Sequence, residues 1–334
     1  MKIFIITSIY PPEIGGPAEY AKNLEEVWHN DGNRVSVKIF GRFKKFPWGI
    51  RHIIFFFYIL PAVSSADCIF ALDAFSTGVV LVASKLFSKK VVFRTGGDVL
   101  WELYVKRTGD MVTLPDFYKT RLDKLSAKEN IIFGLMKWTL KNLSGVIWST
   151  KWQRDIFMEP YGLQKQKHFI VENYYGLKVL PLPPQEKNFV ASGRNHKLKN
   201  IEALKRVFED STVKQLGAIL DIKAVPPSEF LEKIRNSYAV LVASLSEISP
   251  NTIISAISAG KPFIVTKENG LYERIKDVAL FVDPKNPEDI KAKILWLCNP
   301  ENYEIQKEKL SSWDFVHSWE DIAREYLEVQ ASIK

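Results

Sequence analysis

The residues best suited to chemistry lie in Ser246-Glu247-Ile248-Ser249-Pro250-Asn251-Thr252 and the apolar segment behind it, Ile253 to Gly260. The run Ala239-Val240-Leu241-Val242-Ala243 ahead of them has the pattern of a buried strand, and Pro250 opens what reads as a short helix ended by Gly260. Such a helix leaves the amides of Asn251, Thr252 and Ile253 without intrahelical partners. Glu247 is then a fixed acid beside a set of N–H donors. A carboxylate accepts from hydroxyl groups and helix amides receive an anion, so the pair suits an anionic, hydroxyl-rich ligand such as a nucleotide sugar. A surface acid ahead of a proline turn is the plainer alternative.

Three further loops carry related signals. In Ser192-Gly193-Arg194-Asn195-His196-Lys197-Leu198-Lys199-Asn200, Arg194 and Lys199 flank a short loop that follows a strand, beside Gly193. A planar fork and a mobile point charge there can converge on one diphosphate; the alternative is a solvated basic loop. The stretch from Tyr10 to Tyr20 holds Glu13 and the pair Gly15-Gly16 just before a helix. Without Cβ atoms the backbone can approach a phosphate or sugar closely, although the spacing is not GxGxxG and a turn that caps the helix reads equally well. Arg94-Thr95-Gly96-Gly97-Asp98 repeats the glycine pair after another strand, and Asp98 serves equally as a helix cap.

The elements that must position these loops are legible as alternating strands and helices. Strands are predicted at 2–7, 34–39, 68–72, 90–94, 145–149 and 168–171, with helices at 18–30, 77–87 and 130–142. A Pro-rich stretch, 177–187, ends this series. A second series follows, with strands starting at 188, 217, 239, 262 and 279 and an amphipathic helix over 318–333. Short apolar strands separated by helices imply βαβ units and parallel sheets. The expected organisation is a first domain over 1–176, a linker over 177–187, a second domain over 188–316 and a closing helix, 317–334, returning to the first domain. The fold class is α/β, two Rossmann-like doubly wound domains facing a cleft, with ligands outside the carboxyl ends of the strands.

Composition narrows the class. At 334 residues the chain exceeds one ordinary core. Its two cysteines, Cys68 and Cys298, form no CxxC or Cys/His cluster, so neither a disulfide framework nor a zinc site is expected, and a reducing compartment is the simpler reading. The chain opens directly on a strand with no signal-peptide pattern. The apolar stretch Ile53 to Val63 is broken by Pro61 and is too short to span a bilayer, which takes about 20 residues. A net charge of +8 favours an anionic partner, yet no recognition helix or aromatic RNA motif points to nucleic acid.

In order along nearly the whole chain, these motifs resemble the retaining GT-B glycosyltransferases of glycosyltransferase family 4. Tyr10-Pro11-Pro12-Glu13-Ile14-Gly15-Gly16-Pro17 resembles the family's PPxxGG loop, and Gly193-Arg194 with Lys199-Asn200 its G-R-x4-K-[GN] loop. Glu247 through Pro250-Asn251 and Ala256 to Gly260-Lys261-Pro262 resembles its E-x2-P-N-x3-E-A-x3-G-x-P element, and Tyr161-Gly162 with Ile170-Val171-Glu172-Asn173 the link towards the second domain.

The resemblance implies transfer of a hexose from a UDP- or GDP-linked sugar with retention of anomeric configuration, without a metal or other cofactor. Arg194 and Lys199 would neutralise the diphosphate, and Glu247 would hold the donor sugar. Gly193, Ser249, Pro250, Asn251, Thr252 and Ser255 would line the donor site with Gly15 and Gly16. Glu13, Gly96, Gly97 and Asp98 would lie towards the acceptor or the sugar. No D-x-D triplet occurs. Two positions depart from the family: Ser255 stands where a second Glu reaches the ribose, and Gly96 where many members place a His. A degenerate protein that binds a nucleotide sugar without transferring it is the alternative.

The acceptor is expected to be a glycan or a lipid-linked molecule. Arg42, Lys44, Lys45 and Arg51 mix with Phe43, Phe46, Trp48 and Phe55-Phe56-Phe57-Tyr58, so weak binding to an anionic membrane surface is expected, with most of the aromatics packed into the core. The location this implies is cytoplasmic, at the inner face of the membrane, in synthesis of a cell-surface polysaccharide or glycoconjugate.

Overall fold

A computed structural model describes residues 1–164, 167–191 and 197–333. The first half runs β1 (Lys2–Thr7), α1 (Gly16–Asn30), β2 (Arg34–Ile39), α2 (Trp48–Ser65), β3 (Cys68–Ala71), α3 (Ala74–Lys85), β4 (Val91–Arg94) and α4 (Val99–Thr108). It continues with α5 (Leu114–Thr120), α6 (Ala127–Asn142), β5 (Gly145–Trp148), α7 (Lys151–Tyr161) and β6 (His168–Ile170). The second half opens with β7 (Lys187–Val190), α8 (Ile201–Glu209), α9 (Ser211–Gln215), β8 (Ala218–Asp221), α10 (Pro227–Arg235), β9 (Ala239–Val242) and α11 (Asn251–Ser258). It closes with β10 (Phe263–Thr266), α12 (Tyr272–Ile275), β11 (Leu280–Val282), α13 (Pro287–Leu297), α14 (Pro300–Ser312) and α15 (Trp319–Ser332).

Two units result, each built on a parallel sheet. The first comprises Met1–Asp98, Leu125–Tyr174 and His317–Lys334. Among the described residues its sheet has six strands in the order β2-β1-β3-β4-β5-β6. Strands β3, β4 and β5 are buried at every position, because helices cover both faces and no alternation of polar residues is needed. Trp28 of α1 stacks on Phe70 of β3 with ring centroids 5.0 Å apart, and Tyr326 of α15 closes against both.

The second unit comprises Val99–Lys124 and Tyr175–Val316. Its sheet runs β11-β10-β9-β7-β8, again all parallel. Sequence order placed residues 99–124 in the first domain, but α4 and α5 pack with the second. Their own apolar faces drive this: Leu100, Trp101, Tyr104, Leu114, Phe117 and Tyr118 are buried. Residues 177–182, expected as a linker, lie fastened to this unit. Val179 N–H donates to Ser258 O at 2.8 Å, Ser258 Oγ to Leu177 O at 2.7 Å, and Lys261 Nζ to Leu182 O at 2.6 Å. Gly260, at φ 61° after α11, is where Pro181 passes: a Cβ there would sit 3.4 Å from the proline ring.

Helix α2 departs from expectation. It runs unbroken through Pro61 for 18 residues, long and apolar enough by length and composition to cross a membrane. Only one narrow stripe, Phe55, Ile59 and Val63, is buried. Most of the aromatics expected in the core are not fully buried: Trp48, Phe57 and Tyr58 are exposed and Phe56 is half-buried.

Candidate active site

The second unit brings one expected pair together. Lys199 ends a short 3-10 turn, Lys197–Lys199, and its Nζ lies 2.5 Å from Glu247 Oε1. Ser244 Oγ donates to the same oxygen at 2.6 Å. Glu247 Oε2 has no hydrogen-bond partner among the described residues. An ammonium group carries three N–H donors, so Lys199 keeps donors beyond the one that Glu247 takes.

Backbone bonds explain why these residues meet. Leu245 N–H donates to Leu198 O at 2.9 Å, which ties the lysine turn to the glutamate loop. Glu247 N–H donates to Glu268 O and Gly270 N–H to Glu247 O, both at 2.9 Å, so the acid sits in a parallel bridge opposite Asn269. Asn200 adopts left-handed backbone at φ 56° and anchors the turn through Nδ2 to Pro284 O at 2.7 Å. Arg194 and Gly193, the other expected diphosphate residues, lie outside the described residues.

Pro250 caps α11 without a side-chain hydrogen bond. One expected amide is already used: Ile253 N–H donates to Pro250 O at 2.9 Å, and Ile254 N–H shares that oxygen at 3.2 Å. The tight first turn consumes these donors. Ser249 Oγ is shut from solvent with no partner among the described residues. Ser255 is half-buried, one turn along the same helix.

The excursion α4–α5 touches both halves of the pair. Helix α4 packs on the 3-10 turn that carries Lys199. The first amide of α5, at Leu114, donates to the buried Ser246 Oγ at 2.9 Å, next to Glu247. Asp116 pairs with Lys285 at 3.3 Å. Sequence reasoning missed Asp116 and Glu268. Burial above all, then the field of Asp116, raises the Glu268 carboxyl above its usual range. A signal for Glu268 was present in the Asn269-Gly270 turn directly after β10; none marked the excursion.

In the first unit, Gly16 faces open space, whereas a Cβ on Gly15 would come 2.7 Å from Ile9 Cδ1. Glu13 is exposed and pairs with Lys44 at 2.8 Å. Gly96 O accepts from Gln153 Nε2 at 2.8 Å, Gly97 follows it, and Asp98 is buried. These residues sit at the carboxyl ends of β1 and β4.

Solved structures resemble the whole chain. Sucrose-phosphate synthase of Thermosynechococcus elongatus is 12% identical, with 100% of this chain and 99% of that one covered and a TM-score of 0.74. HepE of Anabaena, solved with UDP-glucose, is 14% identical over 99% and 100% with a TM-score of 0.69. WaaG, a glycosyltransferase involved in lipopolysaccharide biosynthesis, is 13% identical over 98% and 99% with a TM-score of 0.66. No curated protein matches the sequence. The two parallel-sheet units therefore form the GT-B fold. Residues 168–300 match the family described as glycosyl transferases group 1.

Proposed function

We propose that this glycosyltransferase moves a hexose from a UDP- or GDP-linked sugar to a glycan or lipid-linked acceptor, with retention of anomeric configuration and without a metal or other cofactor. The observation that carries this reading is the Lys199–Glu247 pair, 2.5 Å apart beside the start of α11. HepE structures hold UDP, UDP-glucose, or UDP with glucose, which supports a uridine nucleotide here.

As the sugar–phosphate bond breaks, negative charge grows on the diphosphate oxygens. The remaining donors of Lys199 and the guanidinium of Arg194 stabilise that charge, an effect worth roughly 10²–10³ in rate per preorganised donor. Glu247 Oε2 accepts from donor sugar hydroxyls. The Ser249 hydroxyl and the amides of Asn251 and Thr252 hold the phosphates, and Ser255 meets the ribose. Glu13, Gly15, Gly16, Gly96, Gly97 and Asp98 belong to the unit that receives the acceptor.

The working location is the inner face of the cytoplasmic membrane, in polysaccharide or glycoconjugate synthesis. The exposed side of α2, with Arg42, Lys44, Lys45 and Arg51 nearby, suits an anionic bilayer.

The test is a panel of nucleotide sugars scored by thermal shift, then by donor hydrolysis and transfer. One or more donors should raise Tm, turn over, and lose both effects in Lys199→Ala. Ser255 favours a second reading, a protein that binds the nucleotide sugar without transfer. A Tm rise with neither hydrolysis nor transfer would select it.

A further inference from the structure

The first unit contains a buried cation with no ion-pair partner among the described residues. Arg94, the last residue of β4, is 5% exposed, and its guanidinium stands 3.5 Å from the centroid of the Tyr20 ring. Nη2 donates to Asn173 Oδ1 at 2.8 Å and to Ser149 Oγ at 3.2 Å. Tyr20 donates to the same Asn173 oxygen at 2.9 Å. These partners are neutral. Among the described residues no carboxylate forms an ion pair with Arg94; Glu19 feels its field from further away.

Two more polar atoms of this group are shut from solvent without a partner among the described residues, Arg94 Nε and Gln153 Oε1. The Gln153 amide is oriented by its nitrogen, which must face Gly96 O, so its oxygen is the acceptor left over. Among the described residues, a Cβ on Gly96 would meet Arg94 Nη1 at 3.9 Å and nothing else within 4 Å.

Buried charges are ordinarily paired, and the guanidinium fork matches an oxyanion. An orphan amide oxygen beside that fork asks for a hydroxyl. We propose that Arg94 and Gln153 form a subsite for an acceptor sugar bearing a phosphate or carboxylate, with Gly96 kept small to admit it. Arg94 Nη1 takes the anion, and Gln153 Oε1 accepts from a neighbouring hydroxyl. This rests on the reading of the first unit as the acceptor-binding half.

The test uses the full chain carrying Arg194→Ala and Lys199→Ala, so that the donor-side cations contribute nothing. Tm is measured with inorganic phosphate or glucuronate against chloride at fixed ionic strength. At least one anion is expected to raise Tm, and whichever does so names the source of the oxyanion. Adding Gly96→Leu should abolish the rise while leaving Tm in chloride unchanged, since its Cβ has room. Arg94→Met should also abolish it, and if that variant fails to fold, Gly96→Leu still decides. No rise with either anion, or a rise that survives Gly96→Leu, overturns the proposal. Nucleotide-sugar shifts of the wild type score the donor reading separately.

Discussion

At the scale of residues, the second unit joins two side chains 48 positions apart in sequence into one charged pair. Both were legible beforehand, Glu247 from the strand-loop-proline pattern and Lys199 from its place beside a glycine after a strand. Their contact was not, because it depends on the Leu245–Leu198 backbone bond between neighbouring loops. The pair has a separable consequence. Under the proposed roles, Glu247→Gln removes the charge that strengthens bonds from sugar hydroxyls but releases Lys199 for phosphate. Donor turnover should fall by about 100-fold, while UDP alone binds at least as well by calorimetry; a parallel loss of UDP affinity would contradict these roles. Ser255 offers the reverse test. Ser255→Glu restores a charged acceptor for ribose, worth about 1.4 kcal/mol over a neutral one, so UDP affinity should rise roughly tenfold, and an unchanged affinity would place the ribose elsewhere.

At the scale of elements, the strands were legible because runs of Val, Ile and Phe buried on both faces leave little ambiguity. The destination of α4 and α5 was not, since periodicity reports that a helix has an apolar face and says nothing about which sheet that face covers. Their attachment has a measurable size. Ser246→Ala leaves the Leu114 amide buried without its acceptor, at a cost of about 1–3 kcal/mol in urea unfolding, and donor turnover should fall with it. The β5–β6 pair predicts a pH dependence. Trp148 Nε1 donates to His168 Nδ1 at 2.9 Å, which requires a neutral ring. Burial above all, then Arg154 and Lys167, lowers the His168 pKa to about 4. Between pH 6.5 and 4 the unfolded chain takes up a proton that the fold refuses, so stability falls as pH drops through that window. His168→Gln should lose less stability than the wild type between pH 7 and pH 4.5, measured as the urea midpoint.

At the scale of the whole molecule, α2 is the feature least well read from sequence. Pro61 read as a break, yet the helix continues, and the stripe that binds the sheet is narrow enough to leave Ile53 and Phe57 61% and 65% exposed. Replacing both with Asp should leave the circular dichroism spectrum intact and abolish co-sedimentation with anionic liposomes at low salt. The Pro-rich stretch is fastened along its first part: Leu177 O and Leu182 O accept from Ser258 and Lys261, Val179 N–H donates to Ser258 O, and Lys178 Nζ donates to Leu310 O. That fastening gives α11 a mechanical character. The helix is eight residues, about 12 Å of stiff rod, with the proposed donor residues at one tip and Leu177 and Val179 hydrogen-bonded to Ser258 at the other. Leu177 and Val179 are therefore tied to the far end of the rod that begins at Asn251.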